Sequence, residues 1–483
     1  MADLDVDYHN IRAAFAYANG KAELADMRMG LAAALPYYWK IRGYVTEGFT
    51  WLQAGLADEH WLSLSTRARL YVVLLNENNH FHWNIFITDV AKNAHWLAVA
   101  ETLIEPTLAQ GDKQAAAQLM LAVGGSYEYS GQLQKAAEYA QRSQQTFQTI
   151  GDVRGMSFAH NLLIWLTFKQ GDVEAAQSMQ EEQIRRRQLS GASWGLCEAY
   201  FMQVEFAKNM ADRSRGIHSL KQLVALAEQE DRTWFVSNAY YDFEKFDAHG
   251  AIELAEALLD RQRQKGPSVM LGVALYQLGR MYLNRQQFER AQDLLDEALA
   301  LWPRLNERPE LSRLPWTLIV RGQVAYFRGD LQKALACFGE SIERFATSIY
   351  AFHAARPFTF RGYVHLSQNN LDGAVDDFCQ CLQEVAKGLH TFKWLINRAL
   401  AGIGEAAQRR GTLRLAALLL ATVSSAEAKK LEEAPPALFS EISDFDHIMA
   451  RIPAYRQDPV FAAAWQEGEK LSLDEAIALA LTS

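Results

Sequence analysis

Three positions of this chain move in register. Gly322 is followed by Gly362, Ala334 by Ala374 and Phe338 by Phe378, each at a step of 40 residues. Ala136 and Ala176 repeat the same step beside two turn signals, Gly131-Gln132 and Gly171-Asp172. A repeat of this length is one supersecondary unit, which can bury its apolar face only against its neighbours, so the core grows by stacking. The clearest unit is Leu275 to Pro303, LYQLGRMYLNRQQFERAQDLLDEALALWP, with Leu278-Gly279, Tyr282, Ala291, Leu295, Ala298 and Pro303 at fixed offsets. Small residues there let two helices approach closely, and Tyr or Phe fills the gap to the next pair. With 11 Pro and 29 Gly in 483 residues, helix breakers are scarce.

This small/large code resembles the tetratricopeptide repeat. The expected fold is all-α: an α-solenoid of tetratricopeptide-like helical hairpins with a helical N-terminal module and a C-terminal cap. A step near 40 is longer than the usual ~34 and implies longer helices or loops. The expected division is an N-terminal helical module over 1–110, the repeat array over 111–410 and the cap over 411–483.

Apolar spacing predicts helices over 8–19, with Asp7 as N-cap, and over 24–42, kinked at Pro36 and closed by Gly43. Glu47 to Leu56 and Leu62 to Leu75 read as helices, and residues 76–83 as a polar and aromatic interruption. Helix resumes over Trp96 to Leu108. Degenerate pairs occupy 193–229 and 232–264. Two further helices span 396–430 about Arg410-Gly411, and Glu432 to Leu438 is a loop.

Both ends carry more specific patterns. Asn10-Ile11-Arg12-Ala13-Ala14-Phe15, Leu31-Ala32-Ala33-Ala34-Leu35, Trp39-x-x-Arg42-Gly43 and Glu47-Gly48-x-x-Trp51-Leu52 stand near the start. Phe461-Ala462-Ala463-Ala464-Trp465-x-Glu467-Gly468 and Leu473-Asp474-Glu475-Ala476-Ile477 stand near the end. They resemble the C-terminal tetratricopeptide-repeat sensor region of bacterial signal-transduction ATPases with numerous domains (STAND). These are transcriptional regulators related to the maltose-regulon activator. The resemblance implies a sensor region and, in a whole regulator, ATPase and DNA-binding modules. No G-x-x-x-x-G-K-[ST] occurs in this sequence, so ATPase activity does not transfer to these residues. The expectation is either the sensor half of a longer regulator or a stand-alone relative.

Formal net charge is −9, from 48 basic and 57 acidic residues, which argues against a duplex-DNA footprint. No direct nucleic-acid contact is expected. Arg185-Arg186-Arg187, the most basic run, lies a turn after Glu181-Glu182 and reads as a solvated, paired helix face. Four cysteines, Cys197, Cys337, Cys379 and Cys381, make no disulfide framework and read as reduced, partly buried thiols. The acidic start lacks a signal peptide, and the longest apolar run, Leu415 to Val423, is too short to span a bilayer; a cytoplasmic protein without membrane contact is expected. Gly402-Ile403-Gly404-Glu405-Ala406-Ala407 fits a dinucleotide fingerprint, but inside a helical hairpin it reads as close packing. His80-x-His82 with His95 lacks a metal-site companion motif. No nucleophile has a recognisable partner. No catalytic residue, metal or cofactor is expected.

Function therefore rests on surfaces. Tetratricopeptide arrays bind along the concave face lined by the first helix of each hairpin. The outward positions there are Tyr129, Asn161, Trp165, Arg280, Asn284, Tyr326 and Tyr363, a mixture suited to a protein or peptide partner or a small-molecule effector. The competing reading for each is packing against the next repeat. The expected function is a non-enzymatic sensor or protein-interaction module of a STAND-type regulator; the alternative is a free-standing scaffold.

Overall fold

The computed structural model describes residues 2–36, 38–39, 44–75, 90–189, 195–230, 232–305, 313–346, 351–387, 393–428 and 444–482. Among them are 24 α-helices and no strand. The protein is an all-α solenoid of tetratricopeptide-like hairpins. The described residues up to 230 form one compact unit and those from 232 onward a second.

The first unit opens with α1 (Ala2–Ala18), α2 (Ala22–Ala34), α3 (Val45–Ala57), α4 (Leu64–Leu75) and α5 (Val90–Ala109). Three hairpins follow: α6 (Lys113–Tyr129) with α7 (Leu133–Ile150), α8 (Val153–Lys169) with α9 (Val173–Leu189), and α10 (Leu196–Asn209) with α11 (Arg213–Gln229). In the second unit, α12 (Thr233–Phe246) pairs with α13 (Ala248–Lys265), and α14 (Val269–Asn284) with α15 (Phe288–Leu301). Next come α16 (Leu314–Phe327) with α17 (Leu331–Ala346), and α18 (Ala355–Ser367) with α19 (Leu371–Lys387). The fifth hairpin is α20 (Lys393–Arg410) with α21 (Leu413–Ala428). Three helices close the chain: α22 (Phe445–Tyr455), α23 (Pro459–Gly468) and α24 (Leu473–Thr482). From α6 to α21, even-numbered helices are the A helices of their hairpins and odd-numbered ones the B helices.

The repeat code is a packing code. A Cβ on Gly322 would lie 2.6 Å from the Phe338 ring, and one on Gly362 2.7 Å from Phe378. Gly279 stands in the same relation to Leu295 at 2.8 Å, and Gly404 to Leu420 at 2.9 Å. In each case an A-helix glycine admits a B-helix side chain 16 positions later. A second tie joins the helices 26 positions apart: Ser143 donates to the Ala117 carbonyl at 2.8 Å and Ser341 to that of Pro315 at 2.9 Å. Hairpin turns need a left-handed residue. Gly131 (φ +76°) and Gly171 (φ +93°) supply it, and 40 positions on Ala211 takes the same conformation at φ +53°.

Several local expectations change. Asp7 lies inside α1 and does not cap it. Pro36 does not kink the second helix; that helix stops at Ala34, where the next proline offers no N–H to continue the ladder. The fifth helix starts at Val90, before Trp96, and contains Pro106. Helix α22 falls within the expected helical cap over 411–483, at a position where the apolar spacing places no helix. In the basic run, Arg185 and Arg186 pair with Glu182, but Arg187 is buried, with Ser157, Asn161 and the Gly195 carbonyl as acceptors. All four cysteines are free thiols. Gly402 and Gly404 pack on Phe378 and Leu420, as close packing requires. Gly43, residues 76–83 and Glu432 to Leu438 lie outside the described residues.

Candidate functional site: the A-helix face

In the first unit, the A helices are linked through Glu128 of α6. Its Oε1 accepts from the Trp165 indole at 2.9 Å and pairs with Lys169, both on α8. Trp165 in turn stacks on Phe206 of α10, 6.2 Å between centroids and 4° between planes. Asn161, one turn earlier on α8, is buried and accepts from Arg187 at 3.4 Å. Tyr129 ends α6 with 41% of its surface exposed.

In the second unit, α12 and α14 share a polar ladder. Gln277 donates to the Ser237 carbonyl at 2.9 Å and to its hydroxyl at 2.7 Å. Glu244 accepts from Asn284 at 2.7 Å and pairs with Arg280 at 2.8 Å. Both charged side chains are almost wholly buried, 6% exposed for Arg280 and 3% for Glu244. The Tyr241 ring covers the guanidinium, 5.1 Å from its carbon. The ladder repeats the step of 40, from Ser237 to Gln277 and from Glu244 to Asn284.

Further along, α16, α18 and α20 carry Tyr326, Tyr363 and Glu405. Tyr326 donates to Asp444, the residue before α22. Burial and that carboxylate hold its hydroxyl above the ordinary tyrosine range. Tyr363 is 1% exposed; its ring meets Phe378 edge-on at 5.1 Å and its hydroxyl donates to the Arg398 carbonyl at 2.8 Å. Glu405 is 1% exposed and accepts from Arg409 at 2.8 Å and from the Tyr455 hydroxyl at 2.8 Å, with Arg451 at 3.1 Å.

Of the seven positions expected to face outward, Tyr129 is exposed, while Asn284 and Tyr326 are half-buried. Asn161, Trp165, Arg280 and Tyr363 are buried: Arg187 of its own hairpin meets the Asn161 oxygen, and neighbouring hairpins receive the polar atoms of the other three. Arg280 and Asn284 meet on one carboxylate; Asn161 and Trp165 share a helix. The acidic partners Glu128, Glu244 and Glu405 were not anticipated, although the step from Glu244 to Asn284 was available as a signal. Among the described residues, no group of three or more His, Cys, Asp or Glu is placed to hold a metal ion. Nor is any helix among them long and apolar enough to cross a membrane.

No protein-family model matches the sequence, and no curated protein matches it. Solved structures do. One is a STAND protein with a tetratricopeptide repeat sensor from Pyrococcus horikoshii, 14% identical over 84% of this chain and 54% of that one, with a TM-score of 0.38. The chain thus spans about half the length of that protein. Another is a Rap protein complexed with competence and sporulation factor, 12% identical over 86% of this chain and 99% of that one, TM-score 0.34. A third is a tetratricopeptide repeat protein from Parabacteroides merdae, 12% identical over 60% and 99% of the two chains, TM-score 0.31. The architecture stands on the hairpins themselves.

Proposed function

We propose that this chain is a non-catalytic, cytoplasmic binding module that takes a protein or peptide partner, or a small-molecule effector, on its A-helix face. Its place would be the sensor region of a STAND-type transcriptional regulator related to the maltose-regulon activator, with the helical module at 1–110, the array at 111–410 and the cap at 411–483. The observation that carries this reading is the chemistry of that face. Charged, amide and aromatic side chains join successive A helices in each unit: Glu128 with Trp165 and Lys169 in the first, and Glu244 with Arg280 and Asn284 in the second. Because successive A helices are joined through these groups, a ligand engaging one hairpin would bias the packing of the next. Binding then acts as a shift between two arrangements.

Ligand-dependent thermal stabilisation over a metabolite panel, beside affinity capture with the full chain, separates a small effector from a protein partner. Tyr129→Ala should weaken binding in the first unit while leaving the melting temperature unchanged; unchanged affinity would move the site off that face. Reading the gene upstream of Met1 tests the regulator assignment. An in-frame P-loop supports it, and a stop codon leaves the free-standing scaffold.

A further inference from the structure

Helix α22 packs chiefly along α20, the last A helix, and also touches its B helix α21. Its buried side chains are Phe445, Ile448 and Ile452, with half-buried Tyr455 completing the row. These are positions i, i+3, i+7 and i+10, the spacing by which an amphipathic helix anchors in a groove. They join one apolar cluster with Tyr363 and Leu395 of the A helices α18 and α20. Arg398 of α20 lies over the Phe445 ring at 5.1 Å. Polar latches hold both ends: Tyr326 donates to Asp444 at the start, and Tyr455 and Arg451 meet Glu405 at the finish.

Three features make α22 weaker than the helices it covers. It has 11 residues, below the length at which a helix is stable by itself. Pro453 within it offers no N–H to the preceding turn. Asp444, in the N-cap position, makes no side-chain cap bond and instead gives its carboxylate to Tyr326. By contrast, α23 is capped by Asp458 on two backbone N–H groups, at 2.8 and 3.2 Å.

We propose that the face of α20, with Tyr326 of α16 at its edge, is a helix-binding groove, and that α22 is its built-in occupant. The partner it fits is an amphipathic helix of the same chemistry. That helix has an acidic residue at its start to accept from Tyr326, then Phe and Ile at i, i+3 and i+7, and a Tyr or Arg at its end to reach Glu405. Such a partner binds by displacing α22. Glu405 sets the selectivity, since a helix without a donor there leaves one of its buried oxygens short of a partner. This inference rests on reading the A-helix face as a binding surface. Its own test needs no natural partner.

The test uses the full chain and a fluorescein-labelled synthetic peptide of residues 444–456, followed by fluorescence anisotropy. The double variant Phe445→Ser/Ile448→Asp strips α22 of its anchors. Asp444→Asn/Tyr455→Phe cuts the latches from the side of α22 and leaves Tyr326, Glu405 and the apolar contacts in place, so it stands in should the first variant fail to fold. The peptide should bind either variant at least about tenfold more tightly than the unaltered chain, as removing an internal competitor demands. A peptide carrying Asp444→Asn and Tyr455→Phe should bind more weakly than the parent peptide. Equal binding to the unaltered chain and both variants overturns the proposal, as does no binding to a variant that still melts cooperatively. Either result would leave partner capture elsewhere on the A-helix face intact.

Discussion

At the scale of single residues, glycine does two separable jobs. Gly322 and Gly362 make room for a phenylalanine ring, so Gly322→Ala should cost about 1–3 kcal/mol by overpacking. Gly125 lies within α6 with nothing within 4 Å of where a Cβ would stand. Gly125→Ala should therefore stabilise by roughly 0.5–1 kcal/mol through helix propensity alone. Turn glycines act through the backbone. Ala211 holds the left-handed conformation that Gly131 and Gly171 adopt 80 and 40 positions earlier. Ala211→Gly should relieve about 1 kcal/mol of that strain, visible as a rise in the urea midpoint. This turn also explains why the 193–229 pair reads as degenerate: its punctuation is missing although its geometry is not.

At the scale of elements, the hairpins were legible because their determinants are local. A glycine and its B-helix partner 16 positions on, a turn glycine and an aspartate cap all fall within one repeat. What was not legible depended on distant chain. Tyr363 has the composition of a surface aromatic, and its packing on Phe378 and its hydrogen bond to the Arg398 carbonyl of α20 make it core. The segment around α22 lacked a repeat partner and held Pro453, so periodicity did not mark it. The ladder between α12 and α14 gives the sharpest energetic prediction at this scale. Arg280→Ala strands Glu244 in a buried site and should cost about 3–5 kcal/mol. Replacing both residues, as Arg280→Met with Glu244→Leu, should recover most of the loss. Chemical denaturation of the two variants checks this, and a double replacement as damaging as the single one would mean that the pair is not the source of the cost.

At the scale of the whole molecule, the tie between α22 and Glu405 should respond to alkali. Burial first, and then Glu405, push the Tyr455 hydroxyl up to about 12, while Arg451 and Arg409 oppose the shift. Released from its site, the phenol ionises near its ordinary value of about 10. The raised value means that this contact is fully present below about pH 10 and is lost as pH climbs toward 12. Proteolytic sensitivity of α22 should rise across that window, and Tyr455→Phe should flatten the response. The bond from Tyr326 to Asp444 has a different consequence. It spans 118 residues, whereas the tie from Ser143 to Ala117 within a hairpin spans 26 and that from Gln277 to Ser237 between hairpins 40. During synthesis at ~5–20 residues per second, Tyr326 leaves the ribosome roughly ten seconds before the Asp444 that will latch it. A nascent chain thus passes through an interval in which its groove is built and still open to a partner being made nearby.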